Sequence, residues 1–529
     1  MAVTRWEPTE DFTPTEELLM RRLARVRKLF SFLRLHRCTI FDDVLQDELA
    51  EMYRDSGAGK TPVPPALMAM ATLLQGYVGA SDAEAVEFTV VDLRWQLVLD
   101  CIGATKPAFS QGALHDFRHR MIKHDMDRRV LERTAEVARS TGDFDARKLP
   151  KSLRVAVDSA PLEGAGRVED TVNLIAHAAR LVVSCIATIT ERNTDEICAR
   201  AGIPLLAFSS VKRGLDRDWT LPGEKEAAVT ELAGQAESLL AWTTEHLPDL
   251  LERPPVRKTL ATLRRVMDQD LEPDPEREGA PRIRDGVVKD RRISIEDEDM
   301  RHGRKSSSRR VNGYKRHIAK DLDAGVILAC SVTPANQPEA DAMSELDADI
   351  ERQGGQIGEL YVDRAYVSSK EAAEVAARGG EVIARPWRHA NGDLFSKSDF
   401  AIDLEQMLVT CPAGEIAAAR LGRVTFFPAG ACDVCDLRPQ CTRAKPGGAR
   451  GRSIRIADDE PQQQQFRALV AHSEGRDRLR KRVPVEHSLA HVVYRQGRRA
   501  RYLGIRTNLF DLRRASSIQN LEIAQRRAA

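Results

Sequence analysis

Residues 153–161 read LRVAVDSAP, an apolar run that leads into an acid and a proline. Runs of this length, bounded by turn residues, indicate a buried strand. A second short run, ELYVD over 359–363, has the same form and also ends in an acid. The surrounding pattern predicts a hairpin of 314–320 with 326–332, helices over 338–353 and 368–378, and a strand over 381–384. We therefore expect a mixed α/β sheet, interrupted once by a long helical segment.

Asp158 and Asp363 each follow an apolar strand directly, at the edge where an α/β sheet exposes side chains to a crevice. A single Asp at the end of a strand is most often a surface residue, but two such carboxylates could share a metal ion. Mg²⁺ prefers oxygen ligands, and a pair of ions about 4 Å apart serves in-line displacement at phosphorus. Such a site usually needs a third acid.

The candidate for the third acid is Glu486, in the first turn of a helix predicted to begin at Pro484. Basic residues surround Glu486, so an ion-pair role is the ordinary interpretation of an isolated Glu in this setting. Glu474 and Asp477 lie close by in the sequence and are rival candidates.

The chain has 529 residues, too many for one core, and 30% of them are charged. No apolar run reaches the roughly 20 residues that a spanning helix needs, so we expect a cytoplasmic protein without a membrane segment. The net charge of +1 conceals an uneven distribution. Residues 442–529 hold 20 Lys and Arg against 8 Asp and Glu, and residues 282–320 hold 13 against 6. One basic run is usually a solvated surface, but two runs flanking candidate catalytic acids favour a nucleic-acid partner.

Four of the nine cysteines form a cluster with the spacing C-x20-C-x2-C-x5-C: Cys411, Cys432, Cys435 and Cys441. In a reducing compartment, this spacing predicts a tetrahedral Zn²⁺ site that stabilises a segment with little core of its own. Iron–sulfur ligation and four reduced structural thiols are the alternatives, because one C-x2-C pair is only half of a paired-knuckle signature. The remaining five cysteines lie singly in apolar surroundings and are expected to be core residues.

Three blocks of sequence stand out: DSAPLEGAGRVEDT over 158–171 followed by Asn173 and Leu174, GYK over 313–315 with TPAN over 333–336, and YVDRAY over 361–366. These blocks resemble those of the DDE transposases of bacterial insertion sequences, specifically the insertion sequence 1182 type. Residues 60–121 are similar to the helical N-terminal domain of the same family.

The resemblance implies a ribonuclease-H-like core in which Asp158, Asp363 and Glu486 bind two Mg²⁺ or Mn²⁺ ions. Arg482, four residues before Glu486, fits the family's pattern. The basic residue often found seven positions after the Glu is Val493 in this chain, and Arg495 is the substitute that a local offset of the helix would supply.

The full expected architecture is an α/β protein with a ribonuclease-H-like mixed-sheet core, a large helical insertion, an all-helical N-terminal domain and a small Cys-rich insertion. Its expected segments are a polar tail (1–30), a helical DNA-binding domain (31–145), three core parts (146–168, 287–386 and 478–510), the helical insertion (169–286), the Cys-rich insertion (387–477) and a C-terminal tail (511–529).

The resulting functional hypothesis is a transposase that cleaves DNA at the ends of an element and joins the freed 3′-OH to target DNA. Its partners would be double-stranded DNA, at terminal inverted repeats and target, and at least one further copy of the chain. The basic residues expected to contact DNA are Arg118, Arg120, Arg309, Arg310, Lys315, Arg364, Arg482, Arg495, Arg498 and Arg499. A metal-dependent nuclease without strand transfer and a catalytically inactive DNA-binding regulator are the alternatives.

Overall fold

The N-terminal part of the chain is helical, as the sequence predicts. A computed structural model describes residues 3–53, 61–142, 152–277, 279–305 and 308–528, and the expected domain boundary at 145/146 lies outside these ranges. The described N-terminal helices are α1 (Pro14–Val26), α2 (Lys28–Ile40), α3 (Asp43–Ala50), α4 (Pro65–Val78), α5 (Asp82–Val91), α6 (Leu93–Leu99), α7 (Gln111–Lys123) and α8 (Met126–Arg139). Residues 14–26 are therefore not part of a tail, and Trp6 is buried against Phe41.

The helical insertion follows the first strand, β1 (Leu153–Glu163), and has a core of its own. Its elements are α9 (Thr171–Thr190), α10 (Thr194–Arg200), α11 (Val211–Leu215), α12 (Glu224–His246), α13 (Pro254–Asp270) and the hairpin β2 (Leu271–Pro273) and β3 (Pro281–Ile283). Val182, Leu232 and Leu263 meet inside it. Among the described helices, α9 alone is long and apolar enough to cross a membrane, and 56% of its apolar window is buried inside the protein.

The central sheet is mixed, as the sequence predicts. It adds β4 (Arg301–Arg304), β5 (Arg310–Asp321), β6 (Ile327–Pro334), β7 (Ile357–Tyr361) and β8 (Glu381–Ile383) to β1, with α14 (Met343–Arg352) and α15 (Lys370–Ala377) between strands. The strand order is β4-β5-β1-β7-β8, and β6 also pairs with β5 in the predicted hairpin. Strand β1 is antiparallel to β5 and parallel to β7, which is parallel to β8.

Strand β1 is longer than the sequence indicates, because it continues through Asp158 to Glu163. Its parallel pairing with β7 ends at Ala156 opposite Tyr361, whereas its antiparallel pairing with β5 continues to Glu163 opposite Gly313. Beyond Ala156 one edge of β1 is thus free of β7, and proline is tolerated on a free edge. Asp158 lies where the two parallel strands separate, not at the end of a strand.

The Cys-rich segment consists of very short strands around a small core. Its elements are β9 (Ala401–Asp403), β10 (Leu408–Thr410), β11 (Ile416–Ala418), β12 (Val424–Phe426), α16 (Ala429–Asp433), α17 (Arg438–Cys441) and β13 (Ser453–Arg455). Strands β9, β10 and β11 form one antiparallel sheet, and β12 pairs with β13. The core is formed by Phe400, Val409, Ala419, Phe427, Ile454 and Ile456.

The last four helices are α18 (Glu460–Ala471), α19 (Ser473–Arg480), α20 (Val483–Gln496) and α21 (Ile505–Arg527). Helix α20 begins where Pro484 predicts and packs on β1. Residues 511–527 were expected as a basic tail, but they lie in α21, which packs against α8, α4 and β6. The reason is ion pairing: Arg513 binds Asp125 and Asp127, and Arg514 binds Asp511, so these basic side chains are buried instead of solvated.

Candidate active site

Two of the three predicted acids lie near the same end of two neighbouring parallel strands: Asp158 is on β1, and Asp363 follows β7. Because Ala156 faces Tyr361 in the ladder of β1 and β7, Asp158 and Asp363 each lie two residues beyond the last pair. Both residues therefore lie past the same end of the β1–β7 ladder. Asp363 is exposed, and its Oδ1 accepts a hydrogen bond of 2.9 Å from the backbone N–H of Arg364, which caps the short turn Arg364–Tyr366.

Arg482 connects the third acid to the first. Its Nη2 donates to Glu486 Oε1 at 2.6 Å, one turn along α20, and its Nη1 lies 3.2 Å from Asp158 Oδ1. Nη1 is buried and makes no hydrogen bond of good geometry. Helix α20 thus brings Glu486 to the side of β1 that carries Asp158, with the guanidinium between the two carboxylates.

The groups around Asp158 shift its pKa in opposite directions. Burial raises the pKa of Asp158, and the nearby Glu486 carboxylate raises it further, while Arg482 and Lys305 lower it. Lys305 also donates from Nζ to the backbone oxygen of Ser159 at 3.4 Å. The carboxylate of Asp158 is therefore poorly solvated and depends on adjacent positive charge.

Behind the acids lies a buried polar network that the sequence analysis did not identify. His317 Nδ1 lies 2.7 Å from Tyr366 Oη and its Nε2 lies 3.0 Å from Thr333 Oγ1; Ser159 also hydrogen-bonds with Tyr366. Burial lowers the pKa of His317 to about 3 and raises that of Tyr366 well above its ordinary value, so both are neutral. The network joins Ser159, next to Asp158, to the turn that follows Asp363. The stretch YVDRAY over 361–366 is the sequence feature that could have indicated this network, because Tyr366 lies three residues after Asp363.

The rival acids Glu474 and Asp477 lie on α19, away from this arrangement. Asp477 is exposed and pairs with Arg480 at 2.7 Å. Within the part of the chain that the structure describes, neither Glu474 nor Asp477 makes an ion pair or a hydrogen bond that links it to Asp158 or Asp363. Both are therefore suitable comparisons for Glu486.

Asp158, Asp363 and Glu486 carry the carboxylate oxygens that Mg²⁺ and Mn²⁺ prefer as ligands. In the conformation described, no three His, Cys, Asp or Glu side chains of residues 3–53, 61–142, 152–277, 279–305 and 308–528 form a metal-ligand group. Arg482 supplies positive charge between Asp158 and Glu486 instead. The carboxylate chemistry fits divalent cations, but a cation between Asp158 and Glu486 requires Arg482 to release them, and Asp363 makes no contact with either acid in this conformation of the described residues.

The four clustered cysteines meet at one cavity of about 560 Å³ in the Cys-rich segment. They are half-buried and reduced. Burial raises the pKa of the Cys441 thiol, and the charges of Cys432, Cys411 and Cys435 raise it further, while Arg452 lowers it. The fold therefore places Cys411 at the same cavity as three cysteines that follow it by more than 20 residues, although the four do not form a metal-ligand group in the conformation of the described residues.

Most of the basic residues predicted to contact DNA are accessible, with three exceptions. Arg309, Arg310, Arg498 and Arg499 are exposed, and Arg120, Arg364 and Arg482 are half-buried. Arg499 also donates to the backbone oxygens of Gly164 and Ala165, so it holds the loop after β1.

Three of the basic residues predicted to contact DNA are instead held by contacts within the protein. Arg118 is buried and binds both carboxylate oxygens of Asp82, so it lies inside the helical domain instead of on a wet face of α7. Arg495 pairs with Glu522 and stacks over the ring of Tyr77. Lys315 is 15% exposed and donates to the backbone oxygen of Gln337. These three side chains contribute to packing in this conformation and are not free to bind phosphate.

The fold is a mixed α/β sheet in which Asp158 and Asp363 lie past the same end of one parallel strand pair, and Arg482 contacts both Asp158 and Glu486. Residues 21–120 match the family model described as Transposase domain (DUF772), and residues 410–522 match the one described as Transposase DDE domain. These matches support a DDE transposase family. The comparisons with curated proteins and with solved structures found no match. Asp158 and Asp363 lie outside both matched segments, so their assignment depends on geometry.

Proposed function

We propose that this chain is a metal-dependent DNA transposase of the insertion sequence 1182 type, with Asp158, Asp363 and Glu486 as its catalytic acids. Two observations support the proposal: Asp158 and Asp363 each lie two residues past the last pair of adjacent parallel strands, and Arg482 contacts both Asp158 and Glu486. The match of residues 410–522 to a Transposase DDE domain includes Glu486 and supports the same assignment.

The strand order supports a ribonuclease-H-like core. Strands β6, β5 and β1 are consecutive antiparallel neighbours, and β7 and β8 continue the sheet parallel to β1. The first acid lies on the central strand, the second follows the adjacent parallel strand, and the third is on a helix that packs against that sheet. This is the arrangement that the sequence resemblance implies.

The reaction we assign is phosphoryl transfer without a covalent protein intermediate. Water attacks a phosphodiester at the end of the element, a new P–O bond forms, the P–O3′ bond breaks and a 3′-OH is released. That 3′-OH then attacks a phosphodiester of target DNA, forming a P–O3′ bond and displacing the target's own 3′ oxygen. Two Mg²⁺ or Mn²⁺ ions, held by Asp158, Asp363 and Glu486, would supply Lewis-acid activation of the attacking and leaving oxygens.

The side chains around the acids have defined tasks in this scheme. The carboxylates of Asp158, Asp363 and Glu486 orient the reacting groups at the sheet edge. Arg482, once released from Asp158 and Glu486, presents a planar fork of donors that matches a phosphate group. Lys305 and the exposed Arg498 and Arg499 neutralise phosphates near the site, so binding should weaken as salt concentration rises.

The test uses a 3′-OH oligonucleotide and a plasmid in Mg²⁺. A transposase gives joined product, and nicks without joining would instead indicate a nuclease. We expect Asp158→Asn, Asp363→Asn and Glu486→Gln each to reduce both reactions by at least about 100-fold, since each loses part of a Lewis-acid contribution of several kcal/mol. Glu474→Gln and Asp477→Asn are the matched controls and should retain activity. Cleavage by Asp158→Asn at the wild-type rate would overturn the assignment.

We also propose that Cys411, Cys432, Cys435 and Cys441 hold a structural Zn²⁺. The convergence of four thiols on one cavity, in a segment with only six core residues, supports this assignment. Elemental analysis of protein purified without chelator should find about one zinc per chain. Cys435→Ser should lose the zinc. Cys38→Ser should keep it, because Cys38 lies singly and is exposed, so the sequence-based expectation of a core position was wrong for this cysteine. Iron in place of zinc, or no metal, would contradict the proposal.

The remaining assignments concern partners. We propose that at least two copies of the chain act together on DNA, because two element ends must be cut and joined. The protein would act in the cytoplasm, on double-stranded DNA at terminal inverted repeats and at the target site. Light scattering of the chain with and without duplex DNA measures the stoichiometry. A complex of one chain with one duplex at active concentrations would contradict the proposal that two copies act together.

A further inference from the structure

A pocket of about 440 Å³ lies in the Cys-rich segment, distinct from the three acids and from the cysteine cavity. It is formed by residues 388–391, Lys397 and the chain around β13. Of the residues that line it, five carry basic groups and none is an Asp or Glu: Arg388, His389, Lys397, Arg452 and Arg455. The smaller lining residues Asn391 and Ser453 add polar side chains. A cavity lined in this way selects an anion.

The positive charge of the pocket is only partly balanced by the protein. Lys397 forms an ion pair with Glu460, which also binds Arg467. By contrast, Arg388 and Arg455 are exposed and have no carboxylate within ion-pair distance among the described residues. Two cations without a carboxylate partner beside one cavity repel each other, and a bound anion would relieve this repulsion.

Arg452 and His389 bring buried nitrogen atoms to the same place. Arg452 donates from Nη2 to the backbone oxygen of Phe395 at 3.3 Å, while its Nε is buried without a hydrogen-bond partner. His389 Nε2 is also buried without a partner. Unsatisfied buried polar atoms are costly, and in native proteins they call for an explanation such as a missing ion or water. Both lie in the lining of a cationic cavity, where an anion is the complementary ligand.

The pocket is built on the ordered part of the segment. Strand β13 pairs with β12, so Arg455 lies opposite Val424, and the neighbours Ile454 and Ile456 are buried in the small core. Arg452 lines the cysteine cavity as well, and its backbone N–H lies 3.4 Å from Cys432 Sγ. The cysteine cluster therefore fixes the backbone that carries two of the pocket's arginines.

We propose that this pocket binds a phosphate group of the DNA backbone, with Arg388 and Arg455 as its principal contacts. Arginine forks match phosphate geometry, and the near absence of large apolar side chains excludes a mainly hydrophobic ligand. The proposal rests on the proposed function, because DNA is the polyanion that a transposase meets. It adds a contact on the Cys-rich segment, separate from the catalytic edge. A free phosphate or mononucleotide would share the same recognition chemistry.

The experiment measures binding of a fluorescent duplex to the full chain, without divalent cation, over a range of salt concentrations. The double variant Arg388→Ala with Arg455→Ala should weaken binding about tenfold or more and lower the slope of log K against log salt by about two. Arg423→Ala with Arg443→Ala removes the same charge from exposed positions of the same segment that do not line the pocket. This control should leave affinity within about twofold and the slope unchanged.

Further variants and competitors distinguish the DNA backbone from a free phosphate or mononucleotide as the ligand. Arg388→Lys with Arg455→Lys keeps the charge and should keep the salt slope while losing part of the affinity. Inorganic phosphate and a nucleoside monophosphate should compete with the duplex only at high concentration. Equal losses in the pocket and control variants, or pocket variants that lose only free-phosphate binding, would overturn the proposal. Neither result would affect the assignment of the acids, since that depends on cleavage by Asp158→Asn.

Discussion

Arg482 has the most consequential single position near the candidate active site. It holds a positive charge between Asp158 and Glu486, where the proposed function requires a divalent cation. The guanidinium and a metal ion both carry positive charge, so they compete for the same carboxylates. The two occupants are therefore mutually exclusive for the same pair of carboxylates. Binding of a metal ion and release of Arg482 toward a phosphate are then coupled.

This competition predicts that Arg482→Ala increases the affinity of the DNA-free protein for Mn²⁺. The gain should be about fivefold or more, because a unit charge about 4 Å from a carboxylate contributes about 1 kcal/mol even at the dielectric constant of water. Titration followed by electron paramagnetic resonance measures this directly. Arg480→Ala is the control. Arg480 lies two residues before Arg482 and pairs with Asp477, so its removal should leave the Mn²⁺ affinity unchanged. Lower Mn²⁺ affinity in Arg482→Ala would contradict the competition.

Tyr366 gives a second prediction at the level of single residues. Tyr366→Phe removes the hydroxyl that contacts His317 and Ser159, and leaves a buried imidazole nitrogen unpaired at a cost of about 1–3 kcal/mol. Because the network fixes the turn after Asp363, we expect this variant to need more Mn²⁺ for half-maximal cleavage. Tyr361→Phe is the matched control: this buried tyrosine donates to Glu359 at 2.6 Å and is not part of the network. Equal metal requirements in both variants would exclude a positioning role.

At the level of elements, local sequence patterns located the helices and strands. They did not predict how far strand β1 continues or which face of α20 packs on the sheet. Ser369 caps α15 and Pro484 lies in the first turn of α20, so both helix starts followed from side chains visible in the sequence. The extension of β1 past Asp158 did not, because Pro161 normally interrupts a strand and its position on a free edge depends on where β7 stops. Likewise, contact between Arg482 and Asp158 depends on the rotation of α20 over the sheet, which is a tertiary property.

The contact between His177 of α9 and Glu169 in the preceding loop predicts that the stability of the folded protein depends on pH. A hydrogen bond with Glu169, opposed by burial, raises the pKa of His177 above its ordinary value of 6.5. Since the charged form is favoured in the folded state, the pair stabilises fully below 6.5 and loses its contribution as pH rises through the folded pKa. His177→Gln should therefore lower Tm more in acid than in alkaline solution. His246→Gln, at an exposed histidine of α12, should show no such difference.

At the scale of the whole molecule, α21 determines how the parts are joined. Its basic composition resembles that of a solvated tail, and only the tertiary structure reveals that Arg506 and Arg513 pair with Asp125 and Asp127 almost 400 residues earlier. The helix packs against α4, α8 and β6. The N-terminal helices and the sheet therefore share a core, although the sequence suggested separate domains. The helical insertion has its own core and is energetically more independent.

This organisation predicts which parts of the protein unfold together. Leu512→Ala removes a fully buried side chain of α21 that packs with Leu131 of α8 and Ile327 of β6, and should cost about 2–5 kcal/mol. If one core joins these elements, hydrogen exchange in α8 and in β6 should accelerate to the same extent, while exchange in α12 and α13 stays near the wild-type rate. Leu263→Ala, an equivalent truncation in the core of the insertion, should produce the reverse pattern. Acceleration of α8 without β6 in the first variant would mean that the helical domain and the sheet unfold separately, and that α21 joins them only weakly.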